Sequence, residues 1–250
     1  MELLMLGILD LAFGAQIVSA KTSDIKELLY ASPLSVADDK PVRGGVPVLF
    51  PQFANYGCFD KHGFARNRTW KLLRRWEDIN QCGVVYKLEL PVDSATDWLH
   101  DASLELEAFL VSDELRIVLR VSNLGAQPMP WTGGLHPYWR IASLQEAHLV
   151  GLGNVPGSLR FDESGIEQLY PNTGMLQFDV GTHTVRLQAV GFREWMVWNP
   201  GRIGSRNFTD LPPGDWQKFL CVEPVCVSKA VVLAPGEIFE GVLLAQWGAN

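Results

Sequence analysis

Positive charge is scarce in this chain. Its 250 residues carry 21 Lys and Arg against 28 Asp and Glu, for a formal net charge of −7 and a sequence pI near 5.2. That balance excludes the broad basic face expected of a nucleic-acid-binding or anionic-membrane-binding protein. Cysteine is sparse as well: Cys58, Cys82, Cys221 and Cys226 are scattered, and no CxxC occurs. Cys221 and Cys226 are too few to make a zinc site without histidines nearby, so reduced thiols in a cytosolic core are the expectation. No HExxH or comparable ligand spacing is present, which argues against a metallohydrolase and leaves no metal assigned.

Long apolar runs are also missing. The stretch from Leu3 to Ala20 ends in Val18-Ser19-Ala20, which looks like a signal-peptidase site. However, Asp10 breaks it, Glu2 stands at its start, and no Lys or Arg precedes Lys21. It is too broken to span a bilayer. It reads as two short buried strands around Gly14, with the cytoplasm as the expected location. Repeats, low-complexity tracts and linkers are absent, so residues 1–250 read as one domain. The overall composition, 47% apolar and 20% charged, is that of an ordinary folded chain.

What the chain does have is a period of two. Val84, Tyr86, Leu88 and Leu90 alternate with more polar neighbours, as do Leu104, Leu106, Ala108 and Leu110, then Leu115, Ile117, Leu119 and Val121. Ser112-Asp113 between the last two runs predicts a hairpin. Further strands are expected at 183–190, 195–198, 219–222, 230–233 and 241–247, with Gly- and Pro-rich turns between them. No segment of helical length shows a 3.6-residue period. The economical architecture is all-β, two large antiparallel sheets packed face to face.

Four constellations could carry chemistry. In Arg43-Gly44-Gly45-Val46-Pro47 the paired glycines would let backbone approach a ligand, with Arg43 reaching it through its planar fork; a plain turn with a solvated arginine is the alternative. In His62-Gly63-Phe64-Ala65-Arg66-Asn67 the histidine opens a segment, Lys61 to Arg75, that holds six basic residues and no acidic one. An acidic protein would need such a cluster to hold an anion such as phosphate. Arg74 and Arg75 fit better on a polar strand face. His136, in Gly133-Gly134-Leu135-His136-Pro137-Tyr138-Trp139, is biased towards extended backbone by Pro137. Glu223, in Cys221-Val222-Glu223-Pro224, is a carboxylate among residues that favour burial. It is either used or held in a buried salt bridge. Pro224 limits strand pairing there, marking a place where the sheet opens. His136 and Glu223 together suggest a general acid and a general base facing one substrate.

These strings, in this order and joined by Trp198-Asn199-Pro200, resemble the aldose 1-epimerase superfamily, most closely its hexose-6-phosphate mutarotase (glucose-6-phosphate 1-epimerase) branch. The resemblance runs from about Gly14 to the C-terminus. It implies a galactose mutarotase-like β-supersandwich and cofactor-free interconversion of α and β anomers. It also implies Glu223 as general base, His136 as general acid, His62 as a sugar-binding partner, and Arg43 and Arg66 as holders of the 6-phosphate. The family's acidic sugar-binding residue stands in an Asp-Arg-Val-Tyr string, matched here by Glu167-Gln168-Leu169-Tyr170. Pro137, Trp139 and Gly201 also depart from the family's commoner residues. The expected partner is a small sugar phosphate, with no nucleic acid or membrane, and the chain acting as a monomer or weak dimer. A mutarotase of unphosphorylated aldoses, or a sugar-binding protein without turnover, would use the same fold.

Overall fold

The computed structural model describes residues 7–21, 27–35 and 40–248. Leu3 to Leu6 of the apolar N-terminal run lie outside the described residues. Strands β1 (Gly7–Leu11) and β2 (Gln16–Lys21) form a hairpin that turns at Gly14. They are followed by β3 (Val48–Leu49), β4 (Lys71–Asp78), β5 (Gln81–Leu90), β6 (Ala102–Val111), β7 (Glu114–Asn123), β8 (Met129–Leu135) and β9 (Tyr138–Arg140). The second half adds β10 (His148–Val150), β11 (Ser158–Arg160), β12 (Ile166–Pro171), β13 (Leu176–Asp179) and β14 (Thr184–Val190). β15 (Glu194–Asn199), β16 (Phe219–Leu233) and β17 (Ile238–Gly248) complete the set. Among the described residues the α-helix is confined to one turn, Gly201–Gly204. No helix among them is long and apolar enough to cross a membrane.

Two antiparallel sheets result. One has nine strands in the order β11-β10-β13-β14-β17-β7-β6-β5-β4. The other has six: β12-β15-β16-β8-β3, with β9 pairing β16. Alternation explains the first. Leu104, Leu106, Ala108 and Leu110 of β6 are fully buried, while Glu105 and Glu107 lie on the opposite face. There Arg120 of β7 binds Glu105 and Glu107, and also Glu240 of β17. β6 and β7 pair residue for residue up to Val111 and Glu114, so the expected hairpin at Ser112-Asp113 is present. The main core cluster draws on both sheets, with Leu104 and Ile117 from one and Trp131, Leu220 and Val222 from the other. The expected all-β architecture of two large antiparallel sheets packed on one core is therefore present.

The structure corrects several expectations. β2 is buried but β1 is only half so, with Leu9 61% exposed, because the hairpin lies outside both large sheets and β1 has one neighbour. The segments 219–222 and 230–233 are one strand. Its irregular stretch between Cys226 and Val231 is held by Glu194, whose carboxylate accepts from the Val227 and Ser228 N–H groups. Pro130, expected in a turn, lies inside β8. Arg74 and Arg75 do sit on the exposed edge strand β4, Arg74 over Trp76 and Arg75 on Asp10.

The paired glycines after Arg43 serve packing rather than a ligand. A Cβ on Gly44 would lie 2.3 Å from the Tyr30 carbonyl oxygen, and one on Gly45 2.2 Å from that of Ile17.

Candidate active site

The centre of the six-stranded sheet carries the site. β16 runs unbroken against β15, placing Glu223 opposite Met196 and Cys221 opposite Trp198. β12 adds the next row, with Glu167 opposite Trp198. Residues opposite each other in a ladder share a face, so Glu223, Met196, Trp198 and Glu167 all point to one side of the sheet. The other flank of β16 is interrupted. β9 pairs through Cys221 and β8 resumes at Val225, leaving His136 and Pro137 in the gap beside Glu223. The sheet does open at Pro224, but on this flank alone. A residue without an N–H can stand in an interior strand where one ladder is interrupted.

Gly134 makes that gap possible. Its φ is +148°, and a Cβ there would lie 2.3 Å from the Pro224 carbonyl oxygen. His136 is then pinned from three directions. Its N–H donates to the Pro47 carbonyl, its ring stacks on Tyr138 with centroids 4.8 Å apart, and Trp198 stands nearly perpendicular to it with centroids 5.8 Å apart. His62 enters from the opposite wall, 5.6 Å from the His136 ring. Its backbone is left-handed (φ +70°). The adjoining Gly63 has its α-carbon turned towards Phe50, where a side chain would collide with the carbonyl oxygen. The Ala54 N–H donates to His62 Nδ1 at 3.2 Å, which leaves the proton of the neutral ring on Nε2.

All six residues singled out from the sequence (Arg43, His62, Arg66, His136, Glu167 and Glu223) line one cleft. It is completed by Phe53, Ala54, Lys61, Tyr138, Met196, Trp198 and Phe208. Phe208 and its neighbour Asp210 carry no signal in the sequence, and their role emerges from contacts. Arg43 Nε binds Asp210 Oδ1 at 2.6 Å, and the guanidinium lies 4.1 Å from the centre of the Phe208 ring. Arg66 differs. Its Nη2 donates to the Lys61 carbonyl, its buried Nε has no partner, and no carboxylate pairs with it among the described residues. One arginine is thus neutralised and the other is left with unused donors.

The acid–base pair is close but not hydrogen-bonded. His136 Nδ1 lies 3.3 Å from Glu223 Oε1, within ion-pair distance, yet Nδ1 and Glu223 Oε2 are both buried without a hydrogen-bond partner. Burial, reinforced by the Glu167 carboxylate and opposed by Lys61, holds the Glu223 carboxyl well above its usual range. Burial, then the fields of His62, Arg66 and Arg43, hold His136 well below 6.5. The sequence suggests that a nearby carboxylate would keep His136 charged. In the structure, desolvation and the fields of His62, Arg66 and Arg43 outweigh that carboxylate. In the open cleft, burial therefore favours the neutral form of each partner. His62 is pushed down to about 3 by burial, with Arg66 and Lys61 adding to the effect.

A profile of the Aldose 1-epimerase family matches residues 11–168. The chain belongs to the aldose 1-epimerase family. A "Putative glucose-6-phosphate 1-epimerase" from Cenchrus ciliaris is 27% identical over 255 residues, covering 92% of this chain and 78% of that protein. One of the same name from Salmonella typhimurium is 30% identical over 241 residues, covering 85% and 77%. Among solved structures, a "putative mutarotase (YeaD)" from Salmonella typhimurium superposes with a TM-score of 0.89 at 22% identity. That match covers 99% of this chain and 88% of the other, and shows that the fold is shared. The family assignment makes the chain an isomerase-type aldose epimerase.

Proposed function

We propose that the chain interconverts the α and β anomers of a hexose 6-phosphate, glucose 6-phosphate being the leading candidate. The observation that carries this is the buried His136–Glu223 pair at the base of a cleft whose wall presents the unpaired Arg66. The names of the relatives from Cenchrus ciliaris and Salmonella typhimurium support the same substrate class.

In this reading Glu223 takes the proton of the anomeric hydroxyl while His136 gives one to the ring oxygen. The ring opens to the aldehyde, C1–C2 rotates, and closure from the other face reverses both transfers. No cofactor enters. The reaction needs Glu223 ionised and a proton on His136, whereas burial in the open cleft favours the neutral form of each. A phosphate seated on Arg66 would cancel part of the positive field that holds His136 neutral, moving the proton to where the chemistry requires it. His62, with its proton on Nε2, would donate to a sugar oxygen, and Glu167 would accept from a sugar hydroxyl.

A second reading, a mutarotase of unphosphorylated aldoses, is favoured by one observation: Arg43 is already occupied by Asp210. The deciding experiment follows anomer equilibration by NMR in freshly dissolved α-glucose 6-phosphate and α-glucose. Acceleration over buffer, stronger for the phosphate ester, is the expected result. Acceleration of the free sugar alone would replace the first reading with the second. No acceleration of either would leave a sugar-binding protein.

A further inference from the structure

Beneath the cleft the structure brings together three residues whose sequence spacing shows no metal signature. Cys221 stands two positions before Glu223 on the same face of β16 and pairs across the ladder with Tyr138, the first residue of β9. This puts its sulfur beside the His136–Glu223 pair. Donor atoms of His136, Cys221 and Glu223 all lie within 4.8 Å of one another, and all three residues are buried. Two of those side chains have buried polar atoms with no hydrogen-bond partner, Nδ1 of His136 and Oε2 of Glu223.

Buried polar atoms without partners are uncommon and point to something the site can accept. A thiolate, an imidazole and a carboxylate converging on one point are zinc-type donors, too soft for magnesium or calcium. With metal–donor bonds of about 2.0–2.3 Å, donors on one tetrahedral ion stand roughly 3.3–3.7 Å apart. The trio, with donor atoms within 4.8 Å of one another, would have to draw in by roughly 1 Å to reach that spacing.

We propose that His136, Cys221 and Glu223 form an inhibitory zinc site, in which a soft divalent cation takes the lone pairs that the acid and the base need. On binding, the Cys221 thiol and the Glu223 carboxyl each release a proton, so the two anionic donors balance the charge of the ion. Lys61, Arg43 and Arg66 on the walls oppose any cation entering the cleft, which is why both anionic donors are needed. The inhibitory arm of the proposal rests on the proposed epimerase chemistry, whereas the binding arm does not.

The test uses the intact protein carrying Cys58→Ser, which removes the exposed thiol. Titration with Co²⁺ should give a sulfur-to-cobalt charge-transfer band together with visible bands of four-coordinate intensity, and Zn²⁺ should bleach both. Zn²⁺ should also stop anomer exchange, and a chelator should restore it. In Cys221→Ala the sulfur band should vanish and zinc affinity should fall by more than about tenfold, with zinc-free exchange retained. Cobalt binding without a sulfur band, no cobalt binding, or unchanged zinc inhibition in Cys221→Ala would each overturn the proposal. If Cys221→Ala does not fold, the cobalt spectrum of the Cys58→Ser protein decides. That spectrum also separates the two proposals, because it needs no anomerase activity.

Discussion

His136 Nδ1 stands 3.3 Å from Glu223 Oε1, and the two groups still make no hydrogen bond. A salt bridge formed for stability would be aligned and satisfied, since a buried charge without good geometry is destabilising. This pair instead keeps unsatisfied atoms at the base of an open cleft, an arrangement suited to a ligand that completes it. Glu223 as a purely structural buried ion pair, the alternative left open by the sequence, fits this geometry poorly.

Glu223→Gln should lower anomer exchange by at least about 10²-fold, as should His136→Ala, because each removes one proton-transfer group. The Gln variant should keep its fold. The raised Glu223 carboxyl ionises in the folded state only at higher pH than when unfolded, so the wild type loses stability as pH rises through the folded value. The Gln variant lacks that loss and should melt at an equal or higher temperature in alkaline buffer. A folded Glu223→Gln protein with the wild-type exchange rate would remove the mechanism.

Arg66 and Arg43 should not behave alike. Arg66→Ala should raise KM for glucose 6-phosphate by roughly 10- to 100-fold, the loss expected for a charge-assisted bond, and change KM for glucose little. Arg43→Ala should act more weakly on the phosphate ester, because Asp210 already occupies its Nε. Equal effects of Arg66→Ala on both sugars would argue for an unphosphorylated substrate.

The pH profile of kcat/KM should be bell-shaped, since the active form holds one proton between two groups. A second proton on His136 blocks the acid side. Burial and cationic neighbours hold that group below 6.5, so the acid limb should lie below pH 6.5. On the alkaline side the limb reports loss of the shared proton. An acid limb at or above pH 6.5 would show that His136 is not held neutral in the free enzyme.

Stability should fall in acid partly through His62. Its folded value is about 3 against an ordinary 6.5, so the unfolded chain binds the proton first. Its contribution is intact above pH 6.5 and is lost progressively as pH falls towards 3, reaching a few kcal/mol at about 1.4 kcal/mol per unit. Asparagine tolerates the left-handed backbone at this position. Denaturant titrations of His62→Asn should therefore show a shallower acid loss than the wild type; parallel curves would contradict it.

Gly134→Ala should destabilise the chain by at least about 1–3 kcal/mol, the range for a residue forced into a strained backbone, and should depress exchange in whatever protein folds. The added Cβ would meet the Pro224 carbonyl at 2.3 Å and push apart the strands that carry His136 and Glu223.

Much of this was legible along the chain. Alternating runs such as Leu104 to Leu110 announce half-buried strands because period two matches the pleat, and Ser112-Asp113 marks their turn. Arg43, His62, His136 and Glu223 stand out because each is a polar group beside glycine or proline, Arg66 because it lies in a basic segment, and Glu167 through the family resemblance alone. β8 was less visible, since Pro130 reads as a turn residue when its neighbours in space are unknown. Asp210 and Phe208 gave no signal, because their importance lies in touching Arg43, far away in sequence.

Local patterning was enough for the all-β class, the hairpin at Ser112-Asp113 and the identity of the acid–base candidates, since strand period and turn chemistry act between near neighbours. It could not say how those candidates are charged. The state of His136 and Glu223 depends on burial and on fields from His62, Arg43, Arg66 and Glu167, which lie far from both in sequence. Nor could spacing show that Cys221 lies beside the pair, or that Arg43 is paired with Asp210 while Arg66 has no carboxylate partner among the described residues. Electrostatic fields and donor convergence act through space, so these properties exist only once the sheets have packed.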